Sequence, residues 1–193
     1  MNSIVLDRDG VINEDSKEFV RGLNEWRPIP GSIQAIADLS AAGFSVVVAT
    51  NQSGLGRGLF SLEDMQAIHR RLRQLVEALG GEVKGIFHCP HRPEDSCSCR
   101  KPGVGLLQAA ERDLAISVRG AWFVGDSLTD LQSARTYGCI PVLVKTGNGL
   151  ATLKSLHTQQ IHSFPDNSLR VYDNLAGVAR ALLQEIPAPK SDR

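Results

Sequence analysis

Two aspartates, Asp7 and Asp9, lie two positions apart and directly follow a short apolar run. Gly10 comes next, and glycine adopts the backbone conformations of tight turns at little steric cost. A turn at this point can direct both carboxylates into one site, where one attacks a substrate and the other transfers protons. Taken alone, the motif is as compatible with a solvated turn, because aspartate and glycine are common turn residues.

Three other positions supply groups that this chemistry needs. Thr50 and Asp126 come at or just after the ends of apolar runs, and Lys101 lies between them in the sequence. If the substrate is a phosphate ester, an anionic nucleophile needs compensating positive charge, which a divalent cation and a lysine supply. Oxygen ligands from Asp7 and Asp126 suit magnesium. Each position alone is readily explained as an ordinary loop or a helix cap, but their combination and order favour a shared site.

Three of the four cysteines lie within eleven residues of sequence, together with a histidine. Cys89, His91, Cys97 and Cys99 offer three sulfurs and one imidazole, which is a complete tetrahedral ligand set for zinc. Because no coordination position is left for water or substrate, we expect structural rather than catalytic zinc. The loop runs directly into Lys101, so a bound ion would fix where that lysine lies. The alternative is a reduced loop without metal.

The elements that must position these motifs can be read from the apolar pattern. Apolar runs predict strands at 4–6, 44–49, 85–87, 121–124 and 140–144. Helical spacing and end signals predict helices at 33–42, 62–79, 104–114, 131–137 and 174–184. This alternation predicts an α/β fold, a Rossmann-like parallel sheet with helices on both faces. Ligands bind outside the carboxyl ends of such strands, which is where the polar motifs stand.

Composition is typical of one soluble globular domain, with 42% hydrophobic and 22% charged residues. We expect this domain to span 1–186, with a metal loop at 88–101 and a disordered tail at 187–193. The balance of 21 basic and 21 acidic residues disfavours nucleic-acid binding. The first residues lack a basic leader followed by a long apolar segment, so no signal peptide or membrane helix is indicated. We therefore expect a cytoplasmic protein, a small-molecule substrate and a monomer.

The motifs in combination resemble those of the haloacid dehalogenase superfamily. That superfamily has an Asp-x-Asp pair, a threonine or serine, a lysine and an acidic motif, which fall here on Asp7 with Asp9, on Thr50, on Lys101 and on 125–130. No long insertion separates the first three motifs, so we expect no separate cap domain and a rather open site. An aspartate at position 9 favours phosphate chemistry over dehalogenation, because a leaving alkoxide needs a proton.

The resemblance implies a role for each matched residue. Asp7 attacks phosphorus and forms an aspartyl-phosphate, and Asp9 protonates the leaving oxygen and then activates water. Thr50 and Lys101 stabilise the phosphoryl oxygens. Mg²⁺ is implied to bind Asp7, Asp126 and the backbone carbonyl of Asp9.

With the cysteine-rich loop, the first two motifs resemble more narrowly the D-glycero-D-manno-heptose 1,7-bisphosphate 7-phosphatase family. This resemblance implies removal of the 7-phosphate of that sugar, in the synthesis of nucleotide-activated heptose for lipopolysaccharide or another surface glycan. The positions implied to contact substrate are Asp15, Ser16, Phe19, Asn51, Gln52, Ser53 and Arg100. A physical argument also supports Arg100, because a guanidinium can bind a second phosphate with paired hydrogen bonds.

Two other functions remain open from the sequence. The related histidinol-phosphate phosphatases, or another small phosphomonoesterase, share much of the pattern, and an amine-binding group would distinguish the histidinol substrate. A silent zinc- or phosphate-binding module is disfavoured, because such a module does not need every catalytic group.

Overall fold

The computed structural model describes residues 2–158 and 169–185. Its strands are β1 Asn2–Leu6, β2 Phe44–Asn51, β3 Gly85–Cys89, β4 Trp122–Gly125, β5 Ile140–Val144 and β6 Arg170–Tyr172. All neighbouring strands are parallel, and they form one sheet in the order β3-β2-β1-β4-β5-β6. From β1 the chain adds β2 and β3 on one side, and then returns to add β4, β5 and β6 on the other side. Strand β1 therefore lies in the middle of the sheet.

Helices cover both faces of this sheet. They are α1 Ser32–Ala41, α2 Ser53–Gly56, α3 Leu62–Glu77, α4 Gly105–Leu114, α5 Leu128–Tyr137, α6 Gly149–Thr158 and α7 Leu175–Glu185. Successive side chains of a strand point to opposite faces. Ile4 and Leu6 accordingly belong to the core under α1, α3 and α7, whereas Val5 belongs to the core under α4 and α5.

The central strands are apolar because both of their faces are covered. Val5 is fully buried and lies beside Val47 on one side and Phe123 on the other. Each of these strands stops being apolar at its carboxyl end, where no helix covers the sheet. That edge brings together Asp7, Asn51 and the segment after β4.

The α/β sheet predicted from the sequence, with helices on both faces, is confirmed, and each of the five predicted strands and helices has a counterpart. Three of these elements were not predicted, namely the ten-residue helix α6 and the short elements α2 and β6. Strand β6 has only three residues, all of them partly exposed, so it carries little apolar signal. Helix α5 begins at Leu128 rather than at 131, because Ser127 caps it and accepts a hydrogen bond from the Asp130 backbone N–H.

Within the described residues, neither the segment from β1 to β2 nor the segment from β2 to Lys101 forms a separate cap domain. In the described part of the chain, no helix is both long and apolar enough to cross a membrane. The predicted domain limit at 186 and the predicted tail at 187–193 lie outside the described residues.

Candidate active site

A cavity of about 270 Å³ opens at the carboxyl edge of the sheet. The cavity is lined by every predicted catalytic and substrate-binding residue and by the predicted magnesium ligand, namely Asp7, Asp9, Asp15, Ser16, Phe19, Thr50, Asn51, Gln52, Ser53, Arg100, Lys101 and Asp126. The structure also brings in residues that were not predicted as site residues, namely Val20, Ser127, Thr129, Asp130 and Asn148. Six separate segments of the chain, at 7–9, 15–20, 50–53, 100–101, 126–130 and 148, therefore meet in one site.

Asp7 lies directly after β1, and its backbone N–H continues the sheet by donating to Val124 O at 2.9 Å. Its Oδ1 accepts a hydrogen bond from the Arg8 backbone N–H at 2.7 Å and lies 2.8 Å from Lys101 Nζ. Among the described residues, its Oδ2 has no hydrogen-bond partner. One carboxylate oxygen is thus held by the protein, and the other is available for chemistry.

Lys101 is the positive centre of the site, and only 2% of its side chain is exposed. Its Nζ lies 2.6 Å from Asp130 Oδ1 and donates to Ala49 O at 2.8 Å, in addition to its ion pair with Asp7. Burial alone would lower the pKa of Lys101, but Asp130 and Asp7 raise it above its usual value. The lysine therefore stays charged.

Negative charge exceeds positive charge at this point of the site. The carboxylates of Asp7, Asp126 and Asp130 all lie within 4.8 Å of one another. Burial, despite Lys101, raises the pKa of Asp7 to about 8, and burial together with Asp130 raises the pKa of Asp126 to about 7. One ammonium does not balance three buried carboxylates, so this donor set fits a hard divalent cation such as Mg²⁺.

Asp9 is held by a network of donors. Arg8 binds both of its oxygens at 3.0 Å, Asn13 Nδ2 donates to Oδ1 at 2.8 Å, and Gln52 Nε2 donates to Oδ2 at 2.7 Å. Burial alone would raise the pKa of Asp9, but Arg8, Asn13 and Gln52 together lower it. The carboxylate is ionised in this arrangement.

Arg8 is fully buried, which the sequence did not reveal. Its guanidinium binds Asp9, donates to Gln52 Oε1 at 2.9 Å, and contacts His69 Nε2 at 3.2 Å. Arginine has no acceptor, so His69 must accept through Nε2 and be neutral. Burial, then the charge of Arg8, lowers the pKa of His69 to about 3.

The segment after β2 contributes mainly by binding other parts of the protein. Thr50 is buried, and its Oγ1 accepts from Gln52 Nε2 at 2.9 Å. The Asn51 side chain pairs with the backbone of Lys101, donating to its carbonyl at 3.1 Å and accepting from its N–H at 3.0 Å. Ser53 begins α2. Substrate contacts by Asn51 and Gln52 stay a prediction, because the hydrogen bonds that their side chains make here go to protein groups.

The Asp126 carboxylate is packed tightly between two loops. Gly10 has φ +79°, and a Cβ there would lie 2.1 Å from Asp126 Oδ2, so no side chain fits. Oδ2 accepts a hydrogen bond from the Asn148 backbone N–H at 2.7 Å, and the Asp126 carbonyl accepts from Thr152 Oγ1 at 2.8 Å. Asn148 could have been found from the sequence, because it lies just beyond the carboxyl end of β5 and ligands bind at the carboxyl ends of parallel strands.

Asp130 belongs to the acidic motif but was not among the predicted site residues. It is fully buried, and its Oδ2 accepts from the Ser127 backbone N–H at 3.0 Å and from Ser127 Oγ at 2.5 Å. These bonds complete a capping box at the start of α5. The cap fixes one oxygen of Asp130 and leaves the other to pair with Lys101.

The cysteine-rich loop gathers the four predicted zinc ligands at one point. The nearest pairs are Cys99 Sγ with Cys89 Sγ at 3.1 Å and Cys99 Sγ with His91 Nδ1 at 3.2 Å, and Cys97 Sγ lies 3.6 Å from Cys89 Sγ. Four soft donors that converge within 4.8 Å, with no carboxylate among them, fit tetrahedral zinc.

This loop is also bonded to the segment after β2. The Gln52 backbone N–H donates to Cys89 O at 2.7 Å, and the Gly56 N–H donates to Pro90 O at 3.1 Å. Arg92 Nε and Nη2 both donate to Gly56 O, at 2.9 and 2.7 Å. The cysteine-rich loop therefore supports two walls of the cavity. One is the segment that contains α2, and the other is the segment with Lys101, which directly follows the loop in the chain.

The remaining predicted substrate positions lie at the mouth of the cavity. Asp15 and Ser16 are exposed, and Phe19 is half-buried with φ +68°, which is unusual for an aromatic residue. Asp15 Oδ2 accepts from Asn148 Nδ2 at 2.7 Å. Arg100 is half-buried, and its Nη1 donates to His91 O at 3.4 Å. Their contacts with a substrate stay predictions.

Comparisons with known proteins agree with this geometry. The HAD-hydrolase-like family model matches residues 98–176. A D-glycero-beta-D-manno-heptose-1,7-bisphosphate 7-phosphatase of Pseudomonas aeruginosa is 51% identical over 181 residues, which are 94% of this chain and 97% of the relative. A relative of the same name from Neisseria meningitidis is 42% identical over 192 residues, which are 100% of both chains.

A solved structure of an enzyme with a corresponding name is also similar to this chain. The crystal structure of D,D-heptose 1,7-bisphosphate phosphatase from B. bronchiseptica, complexed with magnesium and phosphate, has a TM-score of 0.88 to this chain at 48% identity. The match covers 96% of this chain and 100% of that one. The superfamily resemblance predicted from the four motifs is confirmed, and the chain belongs to the D-glycero-beta-D-manno-heptose-1,7-bisphosphate 7-phosphatase family of HAD-like hydrolases.

Proposed function

We propose that this protein is a magnesium-dependent phosphatase that removes the 7-phosphate of D-glycero-D-manno-heptose 1,7-bisphosphate. The observation that carries the proposal is the buried group of Asp7, Lys101 and Asp126 at the carboxyl edge of the sheet. Family membership over 94% of the chain supports the sugar bisphosphate as substrate.

In the first step, Asp7 is the nucleophile. Its free Oδ2 attacks phosphorus, the bond from phosphorus to the sugar oxygen breaks, and an aspartyl-phosphate forms. Thr50 and Lys101 stabilise the phosphoryl oxygens. Asp9 gives a proton to the leaving oxygen, and for this it must gain a proton and leave its contacts with Arg8 and Gln52 when substrate binds.

In the second step, water displaces Asp7 from phosphorus. Asp9 takes a proton from the water, the oxygen attacks phosphorus, and the bond to Asp7 breaks to release inorganic phosphate. The contacts of Asp9 in the structure suit this step, because they hold the carboxylate ionised and therefore able to act as a base.

Magnesium would be held by Asp7 and Asp126 together with the Asp9 backbone carbonyl. When bound, it supplies positive charge that lets an anionic nucleophile approach an anionic phosphate. The excess of buried carboxylates over cations supports this assignment. Asp130 orients Lys101, whose ammonium supplies further positive charge next to the phosphate.

Zinc is proposed for Cys89, His91, Cys97 and Cys99 as a structural ion. The convergence of the four donors supports it, and the hydrogen bonds between this loop and the segment after β2 explain how the ion would act on the site. Thiols that must stay reduced to bind metal also suit the cytoplasm, which we propose as the location.

Substrate selection would depend on short loops, because no cap domain covers the cavity. Arg100 is proposed to bind the second phosphate, and Asp15, Ser16 and Phe19 to contact the sugar. The product would serve the synthesis of nucleotide-activated heptose for lipopolysaccharide or another surface glycan. The predicted monomer stays a prediction.

The test compares kcat/KM for heptose 1,7-bisphosphate and histidinol phosphate, each with and without magnesium. We expect phosphate release only with magnesium, and a preference for the bisphosphate of at least about tenfold, because one lost charged contact costs about that much. Asp7→Asn should abolish turnover with the fold retained, whereas Asp38→Asn, on the exposed face of α1, should not change it. A preference for histidinol phosphate, or full activity of Asp7→Asn, would overturn the proposal.

A further inference from the structure

The loop between β5 and α6 carries a short segment, residues 146–148, that touches the site from the side opposite the cysteine-rich loop. Thr146 Oγ1 donates to Gly10 O at 2.6 Å, which binds the segment to the turn after Asp7. A Cβ at Gly147 would lie 2.5 Å from the Gly10 Cα and 2.2 Å from Asp126 Oδ2. The backbone of this segment therefore lies directly against the turn after the nucleophile, with no room for a side chain between them.

Asn148 joins two carboxylates that belong to different loops. Its backbone N–H donates to Asp126 Oδ2 at 2.7 Å, and its side-chain Nδ2 lies 3.3 Å from the same oxygen. The same Nδ2 donates to Asp15 Oδ2 at 2.7 Å. The amide hydrogens thus lie between two negative groups, whose mutual repulsion they reduce.

The two carboxylates differ in how firmly the protein holds them. Asp126 is 3% exposed and is fixed by Thr152 and Asn148. Asp15 lies in an exposed run of residues, 14–18, and its side chain has no other partner outside that run among the described residues. The Asn148 amide therefore ties the Asp15 side chain to the rigid centre of the site, in addition to Asn13 Nδ2, which donates to Glu14 O at 2.9 Å at the start of the same run.

We propose that Asn148 is a positioning residue, which holds Asp15 and the 14–18 loop at the distance from the magnesium carboxylate that the sugar requires. The inference rests on the proposed function, because Asp15 matters only if the 14–18 loop meets the substrate. Pre-ordering a loop improves binding by reducing the entropy lost when ligand arrives. Loss of Asn148 should therefore weaken substrate binding more than it slows the chemical step.

The experiment is a double-mutant cycle in wild type, Asn148→Ala, Asp15→Ala and the double variant, with heptose 1,7-bisphosphate and saturating magnesium. Asn148→Ala keeps the backbone N–H to Asp126 and removes the side-chain bond to Asp15, together with the longer 3.3 Å contact to Asp126. We expect its KM to rise about three- to tenfold, the range for one typical hydrogen bond at an exposed position, with kcat falling less than about twofold. The double variant should have the KM of Asp15→Ala, because the two residues act through one contact.

Two further measurements separate positioning from a general structural effect. Calorimetry in an Asp7→Asn background, which cannot turn over, should give a Kd for the bisphosphate that Asn148→Ala raises by a similar factor. Asn2→Ala, an exposed asparagine at the opposite end of β1, is the matched control and should change neither KM nor Kd.

The experiment distinguishes failure of this inference from failure of the proposed function. If the wild-type protein does not hydrolyse the bisphosphate, the proposed function fails and this inference fails with it. If wild type is active but the KM increases of the two single variants multiply in the double variant, Asn148 acts independently of Asp15 and the inference alone is overturned. A fall in kcat and melting temperature at unchanged KM and Kd would also overturn it, because that is the result of a structural role.

Discussion

At the scale of single residues, the site depends on one buried ammonium between two carboxylates. Replacing Lys101 with methionine keeps most of its volume but removes the cation that pairs with the buried carboxyl groups of Asp7 and Asp130. We expect a loss of about 3 kcal/mol in the free energy of unfolding, typical of breaking a buried ion pair, and a fall of at least about a hundredfold in phosphate release. Urea denaturation and a phosphate assay measure the two effects.

The matched control for this change is Lys84→Met. Lys84 forms an ion pair of 3.6 Å with Glu82, and 45% of its side chain is exposed. Exposed pairs of this kind contribute little. Equal unfolding curves for the two variants would show that Lys101 does not compensate buried charge.

His69 makes a second prediction at this scale, on the acid stability of the fold. Its pKa is about 3, below its ordinary value of 6.5. As the pH falls through 6.5, the unfolded chain binds a proton on this imidazole that the folded chain does not bind until the pH approaches 3, so the free energy of unfolding decreases across this window. His69→Gln keeps an acceptor for Arg8 but does not titrate. Its unfolding free energy, measured by denaturation from pH 7 to pH 4, should decline less steeply than that of wild type.

His157→Gln is the corresponding control, since it removes an exposed histidine on α6. It should leave the slope of stability against pH as in wild type. If His69→Gln and wild type also share one slope, the neutral, half-buried imidazole of His69 is not a source of acid sensitivity.

At the scale of elements, the cap of α5 has two functions. Ser127 closes a capping box with Asp130, and the same carboxylate holds Lys101. We expect Ser127→Ala to cost about 1 kcal/mol of stability, as lost N-caps do, and to lower kcat/KM by about tenfold, because Asp130 then keeps only its bond from the backbone N–H of residue 127 and is held less firmly.

Ser61 provides the comparison, because it forms the same capping box with Asp64 at α3, where both residues are exposed. Ser61→Ala should lower the melting temperature but leave kcat/KM unchanged. The account of α5 is wrong if the two variants lose activity to the same extent.

The cysteine-rich loop gives the second prediction for an element. We expect the wild-type protein to bind zinc and Cys97→Ser to lose it, and activity should fall about tenfold or more, since the loop supports α2 and Lys101. Metal analysis by mass spectrometry and a phosphate assay measure the two. Cys139→Ser is the control, because this buried thiol donates to Val118 O, away from the loop, and serine can make the same bond. Wild-type protein without zinc, or full activity in Cys97→Ser, would contradict the prediction.

The elements also explain how far the sequence could be interpreted. Asp7, Thr50 and Asp126 were predicted to share a site because each comes where a buried apolar run ends, and that signal is local. Arg8 lies in the same motif, but a fully buried arginine cannot be read from sequence, since charged residues are normally exposed. Asn148 lies four residues beyond the end of β5, so its position could be found from the sequence, but its role comes from contacts with residues far away in the chain. Local patterns located the strand ends, and tertiary packing decided which neighbours they meet.

At the scale of the whole molecule, charge is balanced overall and unbalanced locally. The chain has 21 basic and 21 acidic residues, yet three buried carboxylates meet one lysine in the site. The fold thus presents an anion-rich centre that needs a cation before it can receive a phosphate. Because no cap domain closes over this centre in the described residues, we propose that the loops at 14–18, at the cysteine cluster and at 146–148 select the substrate together.

The most direct test of this account is to follow D-glycero-D-manno-heptose 1,7-bisphosphate by phosphorus NMR in the presence of magnesium and the protein. We expect the resonance of the 7-phosphate to disappear and that of inorganic phosphate to grow at the same rate, while the 1-phosphate resonance persists. With Asp7→Asn, both sugar phosphates should remain. Loss of the 1-phosphate, or a spectrum that does not change with active-site residues intact and magnesium present, would contradict the account.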